Sequence, residues 1–328
     1  MKTNTQSSNT NPQKSFFRFN FLFELIFIVC IQVLLGIQPV YATTYNGLGY
    51  FGFTVVDCGW DDPSDATVKK NYIDEVSSFS NIAQMCVYAS SDKISNRITR
   101  FSNVGVKAIV SIESILFQPG QGTSPSGGKK MILRANAATE LTKFVTLNKG
   151  VLNPSSVAAL YIIDEPVWNG VSLRDFTRAL QIVKKALPGI PTMAIEASPV
   201  VNKIMIPKEL DWVGFDNYDT IDPEHDADWL AQLNKVSTAR NRADQKIVIV
   251  ASTQWLPYYQ SDAGISSSDM EEIANSYHRI AASYPDVVAL VGYTWPGGLD
   301  DPKQLGARSL PANVKQSFRT IGLEITGK

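Results

Sequence analysis

Eight short apolar runs, rich in β-branched and aromatic residues, alternate along the chain with stretches of helical periodicity. Most of them are continuously apolar, which is typical of parallel strands covered on both faces. They cover residues 50–57, 82–88, 108–113, 158–164, 192–196, 212–216, 247–251 and 287–293. Amphipathic segments such as 172–186 and 266–282 lie between them. The apolar stripe of the first consists of Leu173, Phe176, Leu180 and Val183, and Ser172 is its predicted N-cap.

This alternation restricts the fold to an α/β class. Eight strand–helix units in the part of the chain after residue 42 match the size of a (β/α)₈ barrel. A doubly wound sheet is the rival architecture, but no G-x-G-x-x-G sequence follows the first strand. The sequence therefore predicts a single (β/α)₈ TIM barrel over residues 43–328, preceded by an N-terminal segment of different character.

Residues 1–42 read as a targeting segment. The run 25–37 is apolar except for Gln32, which is short for a membrane-spanning helix but suits the central region of a signal peptide. Val40 and Ala42 are the small residues expected before a cleavage point. An uncleaved anchor over residues 16–37 is the alternative. We expect a secreted or periplasmic protein with no stable membrane partner if the segment is cleaved, and a membrane-anchored one if it is not.

Composition excludes several kinds of chemistry. The chain has 30 Lys and Arg against 31 Asp and Glu, so a nucleic-acid partner is not expected. It has only two histidines, which removes multi-histidine metal sites and leaves proton transfer to carboxyl groups. We expect no metal and no cofactor. Cys58 and Cys86 fall on neighbouring predicted strands, and both a disulfide and two buried thiols remain open. No exposed heptad indicates an oligomeric state.

Polar and aromatic side chains follow nearly every predicted strand. In a (β/α)₈ barrel these positions meet at one face and build the active site. A single acid there is often an N-cap, but four of the six tryptophans also lie at strand ends, and aromatic rings suit the C–H faces of sugars. The candidate substrate-binding residues are Asp57, Trp60, Glu113, Asp164, Trp168, Glu196, Tyr218, Gln254, Trp255 and Trp295.

The segment Asp164-Glu165-Pro166 is the most informative of these strand ends. It follows a fully apolar strand, and the proline disfavours helical backbone at the residue before it, so Glu165 is held at the mouth of the barrel. Partial burial among aromatic rings would raise its pKa, as a general acid near neutral pH requires. Asp164, the preceding residue, is expected on the opposite side of the strand, where it braces the site or pairs with a neighbouring strand.

With YIIDEP at residues 161–166 and Tyr293-Thr294-Trp295, the sequence resembles the (β/α)₈ glycoside hydrolase superfamily. That resemblance implies a carbohydrate substrate, Glu165 as proton donor and Trp295 as the floor of the sugar site. Such families commonly have Asn before this Glu, where this chain has Asp164. They also place a nucleophilic Glu after the seventh strand, where this chain has Gln254-Trp255.

Glycoside hydrolysis generally needs a second carboxyl group. Asp216, after the sixth predicted strand, is the first candidate, followed by Glu196, Glu113 and Asp57. A substrate-assisted route, in which Tyr218 and Asp219 take part, is an alternative that some chitinase-like barrels suggest. The D-x-x-D-x-D-x-E run of those proteins is absent here.

The Gly-rich segment 118–130 has two readings. It is superficially similar to a phosphate loop, but Thr123 and Lys130 replace residues of that motif. A flexible loop at the active face is the interpretation we adopt.

Three functions fit these observations. The first is an exported glycoside hydrolase with Glu165 as general acid/base and Asp216 as its partner. The second is a catalytically inactive barrel that binds carbohydrate, since Gln254 replaces a carboxylate. The third is a hydrolase dependent on Mg²⁺ or Ca²⁺ that uses Asp and Glu ligands. No G-x-S-x-G sequence supports a serine hydrolase.

Overall fold

The computed structural model describes residues 47–218 and 220–328, so the predicted signal segment 1–42 lies outside the described residues. The strands, in chain order, are β1 (Tyr50–Asp57), β2 (Ile82–Cys86), β3 (Lys107–Ser111), β4 (Phe117–Thr123), β5 (Lys129–Leu133), β6 (Val157–Asp164), β7 (Thr192–Ala197), β8 (Trp212–Asp216), β9 (Lys246–Ser252) and β10 (Val287–Tyr293).

The helices surround these strands. In chain order they are α1 (Ile73–Val76), α2 (Ser95–Asn103), α3 (Glu113–Leu116), α4 (Ala137–Leu147), α5 (Leu173–Ala186), α6 (Ala227–Ala239), α7 (Pro257–Ala263), α8 (Met270–Ser283) and α9 (Ala312–Thr326). Two 3₁₀ helices cover Ser198–Lys203 and Ala307–Ser309. In this described part of the chain, we find no helix with the length and apolarity that a bilayer crossing needs.

Eight of the described strands close a parallel barrel in the order β1, β2, β3, β6, β7, β8, β9 and β10. The (β/α)₈ prediction is therefore confirmed, and the eight predicted strands match the barrel strands to within two residues at each end. One set of buried side chains, which includes Ile109, Met193 and Val248, fills the barrel interior. A larger set packs the outer faces of the strands against the helices. All the carboxyl ends of the barrel strands consequently meet at one face.

Helix α5 illustrates how the local sequence sets an element. The Ser172 hydroxyl accepts a hydrogen bond from the Asp175 N–H at 3.1 Å, as the predicted N-cap requires. Phe176, Leu180 and Val183 are buried against the barrel, but Leu173 stays largely exposed in the first turn.

The interpretation of 118–130 as a flexible loop is wrong. This segment forms an antiparallel hairpin of β4 and β5. Its backbone docks on the loop that follows β6, because Ser126 N–H donates to Trp168 O at 3.0 Å and Met131 N–H donates to Asn169 O at 2.9 Å. Glycine and proline content predicts irregular structure from local preference alone, whereas these tertiary hydrogen bonds favour the extended conformation.

Cys58 and Cys86 form a disulfide, which settles the open question of their pairing. The bond joins the residue after β1 to the last residue of β2. It therefore ties together two neighbouring segments at the carboxyl face of the barrel.

We expect the Cys58→Ser/Cys86→Ser double variant to unfold about 3 kcal/mol more easily than the wild type, because the bond closes a loop across a sequence separation of 28 residues. Denaturant unfolding under oxidising conditions measures the difference. Wild-type protein in a reductant is the control and should match the double variant. An unchanged midpoint would contradict a stabilising role for this bond.

Candidate active site

A cavity of about 890 Å³ opens at the carboxyl face of the barrel, a size typical of sites for small molecules and sugar units. The apolar part of its wall comes from the barrel interior. Its carboxyl and aromatic wall residues are Trp60, Tyr88, Tyr161, Asp164, Glu165, Asp216, Tyr218, Tyr293 and Asp300. No lysine, arginine or histidine of the described residues lines this cavity.

Glu165 occupies a constrained backbone position directly after β6. Its φ is +44°, in the left-handed region that non-glycine residues rarely adopt. Two backbone hydrogen bonds hold this turn: Glu165 N–H donates to Ile195 O at 2.8 Å, and Asn169 N–H donates to Glu165 O at 2.7 Å. The backbone of Glu165 is therefore fixed by its neighbours.

The Glu165 carboxyl group lines the cavity and has no hydrogen-bond partner among the described residues. Burial raises its pKa to about 8, and the negative charges of Asp164 and Glu196 add to this effect. The sequence predicts the same upward shift in the pKa of Glu165. A carboxyl group with such a pKa carries a proton near neutral pH and is free to transfer it.

Asp216, the last residue of β8, lines the same cavity. Burial, followed by the negative charge of Glu165, raises the pKa of Asp216 well above its ordinary value. The Tyr218 side chain forms a hydrogen bond with the Asp216 carboxyl group. The two residues predicted as catalytic are thus brought to one cavity, and their charges influence each other.

Two further tyrosine–carboxyl pairs lie on the cavity wall. The Tyr161 hydroxyl donates to the carboxyl group of Asp164, and the Tyr293 hydroxyl donates to Asp300 at 3.0 Å. The ring of Tyr293 also stacks on Tyr218, with centroids 5.3 Å apart and planes 15° from parallel. These pairs fix the orientation of the Asp164 and Asp300 carboxyl groups on the wall of the cavity that Glu165 also lines.

The expectation that Asp164 lies on the opposite side of the strand is wrong, because Asp164 also lines the cavity. The pairing of β6 with β7 shifts between Tyr161 and Ile163, which offsets the side-chain alternation by one residue. The left-handed backbone of Glu165 then changes the direction of the chain. Asp164 and Glu165 reach the same cavity for these two reasons.

Glu196 and Glu113 support the backbone beside Glu165 and are not among the residues on the cavity wall. Glu196 is 2% exposed, and its carboxyl group accepts the N–H groups of Val167 at 2.8 Å and Trp168 at 3.2 Å. Glu113 lies 3.4 Å from the Asp164 N–H. Burial is the main cause that raises the pKa of each to about 7.

Of the four tryptophans predicted to contact sugar, the structure brings only Trp60 to the cavity, where 37% of it is exposed. Trp295 is 5% exposed, packs on Phe53, and donates its indole N–H to Glu75 at 2.7 Å. It lies in the core and is no floor for the cavity. Trp255 donates its indole N–H to a backbone carbonyl at 2.8 Å, and half-buried Trp168 is absent from the cavity wall.

Asp57 and Gln254 are also engaged elsewhere. The pairing of β1 with β2 shifts just before Asp57, whose carboxyl group forms an ion pair with Arg97 of α2 at 2.8 Å. Gln254 is buried and hydrogen-bonded to Gln304. Neither lines the cavity. Tyr218 does, but Asp219, its partner in the substrate-assisted alternative, lies outside the described residues.

Sequence reasoning missed Tyr88, Tyr161 and Asp300 as wall residues. Tyr161 was identifiable as the polar member of an apolar strand, but its direction depends on the shift in β6. Asp300 belongs to a loop beyond Tyr293, and no strand-end rule reaches it.

The cavity carboxyl groups do not form a metal-ligand cluster among the described residues. There, the one group of three ligand side chains within mutual reach is Asp222, Glu224 and His225, which is absent from the cavity wall. His225 Nδ1 is instead hydrogen-bonded to Asp222 at 2.8 Å. The hypothesis of an Mg²⁺ or Ca²⁺ hydrolase therefore has no ligand set within the described cavity.

Several solved structures are similar to this chain. A glucosidase from Croceicoccus marinus has a TM-score of 0.54 and 12% identity over 85% of this chain and 68% of its own. A GH113 β-1,4-mannanase has a TM-score of 0.52 and 13% identity over 86% and 100%. Xylanase 10B from Thermotoga maritima has a TM-score of 0.54 and 14% identity over 88% and 98%.

These proteins share the barrel fold with this chain. The resemblance to (β/α)₈ glycoside hydrolases is thereby confirmed at the level of fold. No protein-family model and no curated protein sequence matches the chain. What the cavity does is consequently argued from its own residues.

The Glu165→Gln variant should be more stable than the wild type at pH 8 and not at pH 4. The raised pKa of Glu165, about 8, means that the folded state retains a proton that the unfolded state loses above about pH 4.3. Wild-type stability therefore falls as pH rises between these values, and glutamine removes that loss. Denaturant midpoints at several pH values measure the effect, with Glu272→Gln on α8 as control. A gain of equal size at both pH values would refute this coupling.

Proposed function

We propose that this protein is an exported glycoside hydrolase that cleaves glycosidic bonds of an oligo- or polysaccharide, with Glu165 as general acid/base and Asp216 as the partner carboxyl group. The observation that carries the proposal is the placement of both groups on one aromatic-lined cavity. The Glu165 carboxyl group has no hydrogen-bond partner among the described residues, and its pKa is raised to about 8. The glycoside hydrolases that share the fold support the same reaction class.

Glu165 supplies the proton that the leaving sugar needs. As the bond between the anomeric carbon and the glycosidic oxygen breaks, the Glu165 proton moves to that oxygen. Asp216, held by the Tyr218 side chain, is the second carboxyl group that both the retaining and the inverting route require. Asp216 acts in its ionised form. A water molecule finally provides the hydroxyl group on the anomeric carbon, and its other proton passes to the Glu165 carboxylate on the retaining route or to the Asp216 carboxylate on the inverting route.

The aromatic residues of the wall bind the sugar. Trp60 presents a partly exposed indole ring at the mouth of the cavity, and its indole N–H donates a hydrogen bond to Gly297 O at 2.9 Å. The stacked rings of Tyr218 and Tyr293 form a second flat surface within the cavity. Flat apolar ring faces match the C–H faces of sugars, while the surrounding carboxyl groups accept hydrogen bonds from sugar hydroxyls.

A barrel that binds carbohydrate without cleaving it is the second candidate. The observation that favours it is the end of β9, where Gln254 is buried against Gln304 and offers no carboxyl group to the cavity. In this case Trp60 and the tyrosines would bind sugar in the same way, and Glu165 would serve only as a hydrogen-bonding group.

Activity on a glycan panel separates the two candidates. We expect Glu165→Gln to lower kcat by at least about 100-fold and to retain substrate binding, because general acid catalysis contributes roughly 10²–10⁴-fold. Asp216→Asn should also be impaired, whereas the exposed control Asp244→Asn should match the wild type. Unchanged turnover of Glu165→Gln would overturn its role. Binding without cleavage by the wild type would favour the second candidate.

The rate should also fall at alkaline pH. Since Glu165 must be protonated, kcat/KM of the wild type should fall as pH rises through an apparent pKa near 8. A pH profile on the best glycan of the panel measures this alkaline limb. A flat profile between pH 6 and pH 9 would exclude Glu165 as the group that must hold the proton.

Export is the remaining part of the proposal. The apolar run 25–37 and the small residues Val40 and Ala42 support cleavage after residue 42, and the Cys58–Cys86 disulfide suits an oxidising compartment. N-terminal sequencing of the protein recovered from the producing cells should begin at Thr43. A chain that retains residues 16–37 would instead indicate a membrane anchor.

A further inference from the structure

A second cavity, of about 500 Å³, adjoins the first. The two have Cys58, Gly59 and Tyr88 in common, so they adjoin at the Cys58–Cys86 disulfide. The other residues that line the second cavity are Asp57, Val68, Lys69, Lys70, Asn71 and Arg97. Tyr88 therefore belongs to the wall of both cavities.

Tyr88 combines high exposure with a fixed position. Its side chain is 62% exposed, although its hydroxyl donates to Cys58 O at 2.5 Å and its N–H donates to Asp92 at 2.8 Å. The disulfide holds the same segment two residues earlier, at Cys86. An aromatic ring that is exposed and already ordered stacks on a ligand with little loss of conformational entropy.

The second cavity also carries an unpaired hydrogen-bond donor. Lys70 is exposed there and forms no ion pair or hydrogen bond among the described residues. By contrast, the charge of Arg97 is matched by Asp57 at 2.8 Å. Donors of this kind fit a ligand rich in acceptor oxygens, and the hydroxyl and ring oxygens of a sugar meet that description.

We propose that the second cavity is a distal subsite for the same glycan chain, in which one sugar unit stacks on Tyr88 and one of its oxygens accepts a hydrogen bond from Lys70. The inference rests on the proposed function. Because the two cavities adjoin and share Tyr88, the occupant is a further part of the same chain that Glu165 cleaves. The protein consequently prefers long chains to disaccharides.

Chain-length dependence tests this subsite. We would measure kcat/KM on oligosaccharides of two to six units, built from β-1,4-linked xylose, mannose, glucose, N-acetylglucosamine or glucosamine. Tyr88→Ala should lose roughly tenfold more kcat/KM on the hexamer than on the dimer, the size expected for a lost stacking contact. Tyr88→Phe, which keeps the ring, should stay within about threefold of the wild type on both. Tyr258→Ala, an exposed tyrosine of α7 outside both cavities, is the control.

Calorimetric binding in the Glu165→Gln background separates this inference from the proposed function. Preference for the hexamer over the dimer, lost on adding Tyr88→Ala, supports the subsite even if the wild type cleaves nothing. Equal losses on dimer and hexamer, or no loss on either, overturn the subsite while cleavage by the wild type stands. If the protein neither binds nor cleaves any of these oligosaccharides, both proposals are overturned.

Discussion

Closure of eight parallel strands into a barrel is the constraint on which the candidate site depends. It brings the carboxyl ends of β6 and β8 to one rim, so that Glu165 and Asp216, more than fifty positions apart in the sequence, face the same cavity. Enclosure by protein then makes ionisation of each carboxyl group unfavourable, and the nearby negative charges add to this effect. The acid–base character of the site is a consequence of the topology.

Inside that frame, a local irregularity in β6 decides which groups reach the cavity. The shift in pairing after Tyr161 and the left-handed backbone at Glu165 break the simple alternation of the strand. Asp164 and Glu165 then point to one space, where Tyr161 orients the first and nothing described binds the second. Glu196 and the hairpin of β4 and β5 hold the loop that follows, so the irregular backbone is supported from two sides.

Much of the fold was predictable because each barrel strand is a continuous apolar run, and burial on both faces leaves little ambiguity. The candidate site was predictable in part. Glu165, Asp216 and Trp60 follow strands and do line the cavity. Trp295 and Gln254 also follow strands, but their polar atoms have partners away from the cavity: Glu75 of α1 for Trp295, and Gln304 of the loop after β10 for Gln254. A position at the end of a strand places the backbone of a residue at this face of the barrel, but the surrounding loops decide where its side chain lies.

The sequence by itself determined the order of the eight barrel strands, the shortage of histidine and the reliance on carboxyl groups. These follow from residue types and their periodicity, which act locally. Only the tertiary structure decided that Tyr88, Tyr161 and Asp300 share a cavity with Glu165, that Cys58 pairs with Cys86, and that Trp295 lies in the core. Such outcomes depend on contacts between segments distant in sequence and on single-residue shifts in strand pairing, which no local pattern encodes.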